Sequence, residues 1–249
     1  MSAGKSEINH GRRVVIALAL IAIFLGPLVA DFFLDLYILP VVVSLFSVFC
    51  IVELWSLRDR KEPLLTQSSL LYLHLLIVVA ATAAIWVARL NLADWPLFLL
   101  AVAVPVLIQN TAAFYIGRFI MPRIRNHKSP IAKLLEWHHF RHSPRKTFGV
   151  IIVSAALAAA ISAPWFLGSH LLTTVAIVSA LAAAAGDLLE SRLKRQAGVD
   201  DSGEKLRSGD GPFALTERTI AAHGGFLDRF DSLFFCIALN LITLIIFIL

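Results

Sequence analysis

The sequence predicts an all-α protein that crosses a membrane about seven times, with its N-terminus in the cytoplasm. The chain is 58% hydrophobic and has a mean hydropathy of +0.79, which is too apolar for an ordinary soluble domain. Its apolar runs are close to the roughly 20 residues of helix that cross a bilayer core. Helix is the expected form, because backbone groups in lipid must bond within their own segment.

Seven apolar segments are long enough to be spans. The first is treated as a span and not as a signal peptide, because no A-x-A-like cleavage site follows it and Asp31 and Asp35 come next. Within a single membrane domain, we expect N-terminal membrane helices in 1–116 and C-terminal membrane helices with the catalytic motifs in 117–249. The predicted spans are 14–30, 36–55, 69–88, 96–116, 148–167, 171–185 and 231–249.

The distribution of basic residues predicts the orientation. If the N-terminus is cytoplasmic and the spans alternate, every one of the 22 lysines and arginines except Arg89 lies on the cytoplasmic side. Such a basic face favours anionic lipid and nucleotide as partners. Nucleic acid is not expected, because no known nucleic-acid-binding module surrounds these charges. Cys50 and Cys236 both fall inside spans, which predicts buried packing residues.

Acidic and basic residues recur near the ends of the last two spans. In GDLLESRLKR (186–195), Asp187, Glu190, Ser191 and Lys194 follow helical spacing and share one face. Further along, HGGFLDRFDS (223–232) places two more acids three residues apart. Carboxylates of this kind suit Mg²⁺, which binds through one or two carboxylates and substrate phosphates. From the residues alone, solvated helix ends that pair with each other remain an equal alternative.

These motifs, with three others, resemble the phosphatidate cytidylyltransferase (CDP-diacylglycerol synthase) family. The similarity rests on SRLKR followed by Asp201 and HGGFLDRFD, and on GDLLE before them. AFYIGR (113–118) and SPRKTF (143–148) are similar to two further family elements in the same order. The resemblance implies Mg²⁺-dependent transfer of cytidylyl from CTP to phosphatidate, which gives CDP-diacylglycerol and pyrophosphate. A second metal ion and a homodimer are left open.

The resemblance also implies roles for individual residues. The expected metal ligands are Asp187, Asp228 and Asp231. The expected catalytic residues are these three acids with Glu190, Lys194, Arg195, His223 and Arg229. The expected substrate-binding residues are Asn110, Tyr115, Arg118, Ser143, Lys146, Thr147, Ser191, Gly224 and Gly225.

Three positions differ from the family pattern. Asn110 stands where the family has Asp, Gly149 where it has Glu, and Asp200 where it has Lys. The segment 202–222 also lengthens the gap before His223. Two alternatives therefore accompany the main hypothesis: a CTP-dependent enzyme acting on a different lipid, and an inactive paralogue that serves as a scaffold or lipid-binding partner. A transporter is the least favoured, because the charges gather at one face.

Two other features had open interpretations. Glu53 lies near the end of the second span, where an ionisable residue indicates either a functional site or a salt bridge to Arg58 or Arg60. EWHHFRH (136–142) is compatible with a metal site through His138 and His142, and is more typical of an interfacial helix.

Overall fold

The structure is a computed structural model of the 249-residue chain. Everything below concerns the residues that it describes: 22, 25–58, 69–124, 130–136, 139–140, 143–199, 202–204 and 227–249.

Four apolar helices form the N-terminal part of the described chain. They are α1 (Leu25–Leu34), α2 (Ile38–Leu57), α3 (Ser69–Asn91) and α4 (Trp95–Tyr115). α4 begins after Asp94 with a proline in its first turn, a position where the missing N–H costs no hydrogen bond. It continues as a π-helical turn (Ile116–Ile120) into the short α5 (Met121–Ile124).

The C-terminal part begins with small elements and ends with three long helices. α6 (Pro130–Leu135) is followed by β1 (His139–Phe140) and β2 (Ser143–Thr147), which pair antiparallel. The interfacial helix predicted over 136–142 is therefore wrong at 139–140, and His138 and His142 lie outside the described residues. The long helices are α7 (Phe148–Ser162), which runs into a 3₁₀ turn (Ala163–Phe166), α8 (His170–Ala197) and α9 (Leu227–Ile248).

The long helices pack into one bundle. α9 packs on α8 and α3, α4 packs on α8 and α7, and α2 lies against α3. Small residues along α8, among them Ala176, Ala180 and Ala183, are fully buried, which allows neighbouring helices to approach closely. Large apolar side chains such as Leu107 and Ile246 are more than 60% exposed, as expected of a surface that faces lipid.

The predicted fold class is confirmed: the chain is an all-α integral membrane protein with several spans. Among the described residues, six helices are long and apolar enough to cross a membrane. α1 coincides with the end of the first predicted span, whose start lies outside the described residues. The orientation and the division at residue 116 stay predictions.

Helix ends follow the local sequence. Ser169 accepts a hydrogen bond from the N–H of Leu172 at 3.4 Å and so caps the start of α8. Gly198 ends the same helix with φ of 68°, the left-handed conformation that glycine adopts without a steric penalty. α8 thus continues about three turns beyond the predicted span end at 185 and holds the whole GDLLESRLKR stretch in one helix.

A buried charge cluster lies at the start of α2; we call it the Arg89 cluster (Asp31, Asp35, Tyr37, Arg89 and Trp95). Asp31 is almost fully buried, and its carboxylate lies 3.8 Å from Nε of Arg89. The same guanidinium pairs with Asp35 and lies over the rings of Tyr37 and Trp95, at 4.1 and 5.3 Å from their centroids. Cation–π contacts of this kind stabilise a poorly hydrated cation.

Candidate metal and phosphate site

The site depends on a close approach between α8 and α9. A Cβ atom at Gly186 would lie 2.8 Å from Cα of Ser232 and 2.9 Å from the carbonyl oxygen of Asp231. Real side chains do not tolerate such distances, so only glycine allows the two backbones to come this close. Because Asp187 follows Gly186 directly, this contact brings an acid of α8 beside the first turns of α9.

Three acids meet at this contact, and we call them the acid cluster: Asp187, Glu190 and Asp231. One carboxylate oxygen from each lies within 4.8 Å of the others. Asp187 and Glu190 are three residues apart on α8 and therefore share its face, and Asp231 comes from α9. Glu190 is 1% exposed, while Asp187 and Asp231 are partly exposed.

Lys194 links the acid cluster to Asp228. Its ammonium lies 2.8 Å from Oε2 of Glu190, one turn earlier on α8, and 3.1 Å from Oδ1 of Asp228 on α9. Asp228 also accepts hydrogen bonds from the backbone N–H of Ser202, at 3.3 and 3.4 Å. The two helices are therefore joined by ionic contacts beside the cluster as well as by packing at Gly186.

The acid cluster fits a divalent metal ion. Glu190 uses Oε2 for Lys194, whereas Oε1 is buried and has no hydrogen-bond donor among the described residues. A buried carboxylate oxygen without a donor is costly, and neighbouring carboxylates repel one another unless a cation lies between them. Mg²⁺ prefers oxygen ligands such as carboxylates, and the acid cluster presents these from two helices.

The converging acids include two of the three expected metal ligands. We expected Asp187, Asp228 and Asp231 as ligands, but the converging oxygen atoms belong to Asp187, Glu190 and Asp231. Asp228 contacts Lys194, Ser202 and Glu190, and its role as a metal ligand stays a prediction. The register of the helices places Glu190 near both Asp231 and Asp228, and Asp228 also pairs with Lys194.

Glu53 belongs to the surroundings of the site. Its Oε2 accepts hydrogen bonds from the backbone N–H of Leu227, at 2.7 Å, and from the hydroxyl of Ser202, at 3.0 Å. Among the described residues, Arg58 places its guanidinium 4.4 Å from the ring of Trp55 and forms no salt bridge with Glu53. Arg60, the other basic residue considered, lies outside the described residues. Ser202 was missed from the sequence, since nothing in its local pattern distinguishes it.

The other expected catalytic residues are placed in part. Ser191 is half-buried on α8, and Arg195 is exposed in the last turn of that helix, where a cation also favours the helix dipole. Arg229 lies in the first turn of α9. His223, Gly224, Gly225 and Asp200 lie outside the described residues.

The AFYIGR motif forms the end of α4 and the start of the π-helical turn. Asn110, Tyr115 and Arg118 are all exposed there. The ring of Tyr115 stacks on Phe119 at 5.6 Å, and the Arg118 guanidinium lies 6.0 Å from the Phe119 ring centroid. π-Helical turns inside α-helices are frequent at functional sites. The substrate-binding roles of these residues stay predictions.

The SPRKTF motif forms β2 and the start of α7. Ser143 and Lys146 lie on the strand. Thr147 is 2% exposed; its hydroxyl donates to the carbonyl of Leu135 and accepts from the N–H of Val150 at 3.3 Å. Thr147 is thus the N-cap of α7. These contacts occupy the hydroxyl that we expected to bind substrate.

Gly149 has a structural reason to be glycine. A Cβ atom there would overlap the backbone carbonyl of Leu134, so α6 and α7 touch at this point. A glutamate at position 149, as in the family pattern, would require α6 to move.

Fold and site together define a membrane-embedded protein with an acid cluster and a basic residue at one end of two adjoining helices. Residues 138–247 match a sequence model of the Cytidylyltransferase family. This part of the chain is therefore similar to that family, which confirms the resemblance drawn from the motifs.

Curated relatives agree with this assignment. A phosphatidate cytidylyltransferase of Staphylococcus epidermidis is 38% identical over 111 residues, which are 41% of this chain and 36% of the relative. One from Helicobacter pylori is 34% identical over 113 residues, 43% of this chain and 36% of the relative. The aligned part thus spans about a third of these relatives. No solved structure matches the chain.

Proposed function

We propose that the protein transfers a cytidylyl group from CTP to a lipid phosphate, most specifically to phosphatidate, and releases CDP-diacylglycerol and pyrophosphate. The observation that carries the proposal is the acid cluster, with its buried Glu190 oxygen, beside Lys194. The family match and the relatives named phosphatidate cytidylyltransferase support the same chemistry.

In the proposed reaction, a phosphate oxygen of the lipid attacks the α-phosphorus of CTP. A new P–O bond forms, the bond from the α-phosphorus to the bridging oxygen breaks, and pyrophosphate leaves. A divalent ion bound by Asp187, Glu190 and Asp231 would neutralise phosphate charge during this transfer. Most of the catalysis in such reactions comes from positioning and charge stabilisation.

The residues of the chain would hold this arrangement in place. Lys194 keeps Glu190 and Asp228 close together, and so keeps both helices in register. Arg195 is exposed one residue later and can meet a phosphate oxygen through a charge-assisted hydrogen bond. Rigid helices suit this role, because small errors in ligand position reduce the rate strongly.

The location of the site suits a lipid substrate. The acid cluster lies near the end of α8 and the start of α9, where each of these apolar helices becomes polar. A lipid whose tails lie along the exposed apolar faces would present its phosphate at this level. We propose that this end faces the cytoplasm, because positive residues collect there and CTP is a cytoplasmic nucleotide.

The test is transfer of cytidine-labelled CTP into chloroform-soluble product by purified protein in phosphatidate-containing vesicles. We expect incorporation that requires both phosphatidate and Mg²⁺ and that stops when EDTA is added. Vesicles with a polyprenyl phosphate in place of phosphatidate form the second arm. Label in that arm alone would give the enzyme a different lipid. Absence of label in both arms, with Mg²⁺ still bound, would contradict the enzyme and support the scaffold alternative.

A further inference from the structure

We propose that Glu53, which lies outside the family-matched region, is a positioning residue for the acid cluster. It holds Ser202 and the first residue of α9, and through them it places Asp228 against Lys194. The effect on turnover rests on the proposed function, whereas the effect on the local structure and on metal binding does not.

The first step is the pair of bonds made by a single buried carboxylate. Glu53 is fully buried in an apolar helix, where an ionisable side chain is costly unless strong contacts compensate. Its Oε2 accepts from the N–H of Leu227 at 2.7 Å, at the N-terminus of α9, where the helix dipole favours a negative charge. The same atom accepts from the Ser202 hydroxyl at 3.0 Å.

Further contacts connect these two hydrogen bonds to the acid cluster. Ser202, held by its hydroxyl, donates its backbone N–H to Asp228. Asp228 follows Leu227 directly, so Glu53 restrains this acid from two directions. Asp228 then binds Lys194, and Lys194 binds Glu190 of the acid cluster. A continuous series of hydrogen bonds and ion pairs therefore joins α2 to the proposed metal ligands.

The bonds of Glu53 join α2 to residues that are distant in the sequence. α2 packs mainly on α3, and Phe46 meets Phe230 of α9 edge to face at a centroid distance of 5.9 Å. The bonds from Glu53 span 149 and 174 residues of sequence. Through these bonds, the N-terminal part of the chain contacts the surroundings of the site directly, although the acids of the site all lie in the family-matched region.

The experiment compares Glu53→Ala and Glu53→Gln with Ser47→Ala in the full-length protein. Ser47 is a matched control, because it is buried on the same helix and bonds to Thr82 on α3 at 2.6 Å, away from the site. Three quantities are measured: Mn²⁺ affinity by electron paramagnetic resonance, hydrogen exchange of peptides containing Ser202 and Leu227, and cytidylyl transfer.

We expect Glu53→Ala to weaken Mn²⁺ binding and to lower kcat by about 10- to 100-fold each, the usual range for residues that orient metal ligands. The KM for CTP should change less. Exchange at Ser202 and Leu227 should become faster. Glu53→Gln should fall between Glu53→Ala and wild type, because an amide oxygen can still accept both bonds. Ser47→Ala should leave all three quantities at wild-type values, even where it lowers thermal stability.

The proposal is overturned if Glu53→Ala matches Ser47→Ala in both exchange and Mn²⁺ affinity. If wild type transfers no label, the proposed function fails, and exchange and Mn²⁺ binding still decide the role of Glu53. If wild type also binds no Mn²⁺, unchanged exchange in Glu53→Ala overturns the proposal and faster exchange supports it.

Discussion

Two charge clusters in the described part of the chain, the Arg89 cluster and the acid cluster, are built in opposite ways. In the Arg89 cluster a cation is central, and it contacts two acids and two aromatic rings. In the acid cluster three carboxylates share the centre, and Lys194 contacts one of them from the side. The Arg89 cluster contacts the start of α2 at Leu39, and Glu53 lies near the end of that helix, about 21 Å away along its axis.

This difference separates a structural cluster from a binding site. A guanidinium between carboxylates and rings offsets the charge of the acids, so no added cation is needed there, although Oδ1 of Asp31 and Nε of Arg89 are buried without a hydrogen-bond partner among the described residues. Carboxylates that point at one another repel, so their arrangement becomes favourable when a cation binds. We therefore expect changes in the Arg89 cluster to affect stability, and changes in the acid cluster to affect metal binding and activity.

The largest effect is expected from Asp231→Asn. The change removes a negative charge where a metal ion and phosphates would meet, so the rate of cytidylyl transfer should fall on the order of a thousand-fold. Thermal stability should be equal to or higher than that of wild type in the absence of metal, because carboxylate repulsion decreases. Turnover and unfolding temperature with and without Mg²⁺ check both parts.

The matched control for this variant is Asp35→Asn in the Arg89 cluster. Asp35 has an 81% exposed side chain, and exposed ion pairs contribute little to stability. Activity should stay at the wild-type level. A wild-type rate in Asp231→Asn, or an equal loss in both variants, would show that the distinction between the clusters is incorrect.

The second prediction concerns Arg89→Gln. Removal of the cation leaves the buried Asp31 without its ion-pair partner, which should lower the free energy of unfolding by about 3 kcal/mol. The Mg²⁺ dependence of transfer by the folded fraction should not change. Thermal unfolding in detergent and Mg²⁺ titration of activity measure the two properties. A shifted Mg²⁺ requirement would mean that the clusters are coupled along α2.

A smaller effect is expected from Gly186→Ala. The added methyl group would meet Ser232 and Asp231 of α9, and such overpacking usually costs about 1–3 kcal/mol. Because α8 and α9 must separate, the acids of the two helices also separate, and activity should fall about ten-fold. Gly168→Ala is the control, since a Cβ at Gly168 meets no atom within 4 Å. Equal behaviour of the two variants would contradict the role of close packing.

The last prediction concerns the side of the membrane on which two loops lie, and its test does not require an activity measurement. The basic-residue asymmetry predicts that cysteines introduced in 117–147 and 196–222 react with an impermeant reagent only from the cytoplasmic side. Cys50 and Cys236 are buried, so we expect little labelling of the protein without introduced cysteines. Labelling of 196–222 from outside would place the acid cluster on the wrong side for cytoplasmic CTP.

Local spacing was sufficient for much of the site. The 3.6-residue period placed Asp187, Glu190 and Lys194 on one face, and α8 does continue through them. The same rule put Asp228 and Asp231 at the start of the last helix. It could not show which acid of one helix lies nearest to which acid of the other, so the convergence of Glu190 with Asp187 and Asp231 came only from the structure. That convergence depends on the register at Gly186, a contact between distant segments.

Residues outside the motifs show the same limit. The sequence shows Glu53 as an acid in an apolar span, but it does not decide between a salt bridge to Arg58 and a functional role. Its hydrogen-bond partners are 149 and 174 residues away, where no local pattern can identify them. Gly149 looked like the loss of a carboxylate. The structure shows instead a backbone contact with Leu134, which no local pattern reveals.

By itself, the sequence predicted the membrane-spanning helices and the resemblance to the family, because apolar length and motif spacing are properties of continuous segments. It also determined which acids and bases lie at the helix ends. Only the tertiary structure decided which of them meet. The packing of α8 and α9 brings three acids within 4.8 Å of one another. A fourth acid, Asp228, is held by Lys194 and Ser202, and Glu53 of α2 holds the start of α9 by a hydrogen bond. Such contacts depend on side-chain shape and distance in space, which segment patterns do not contain.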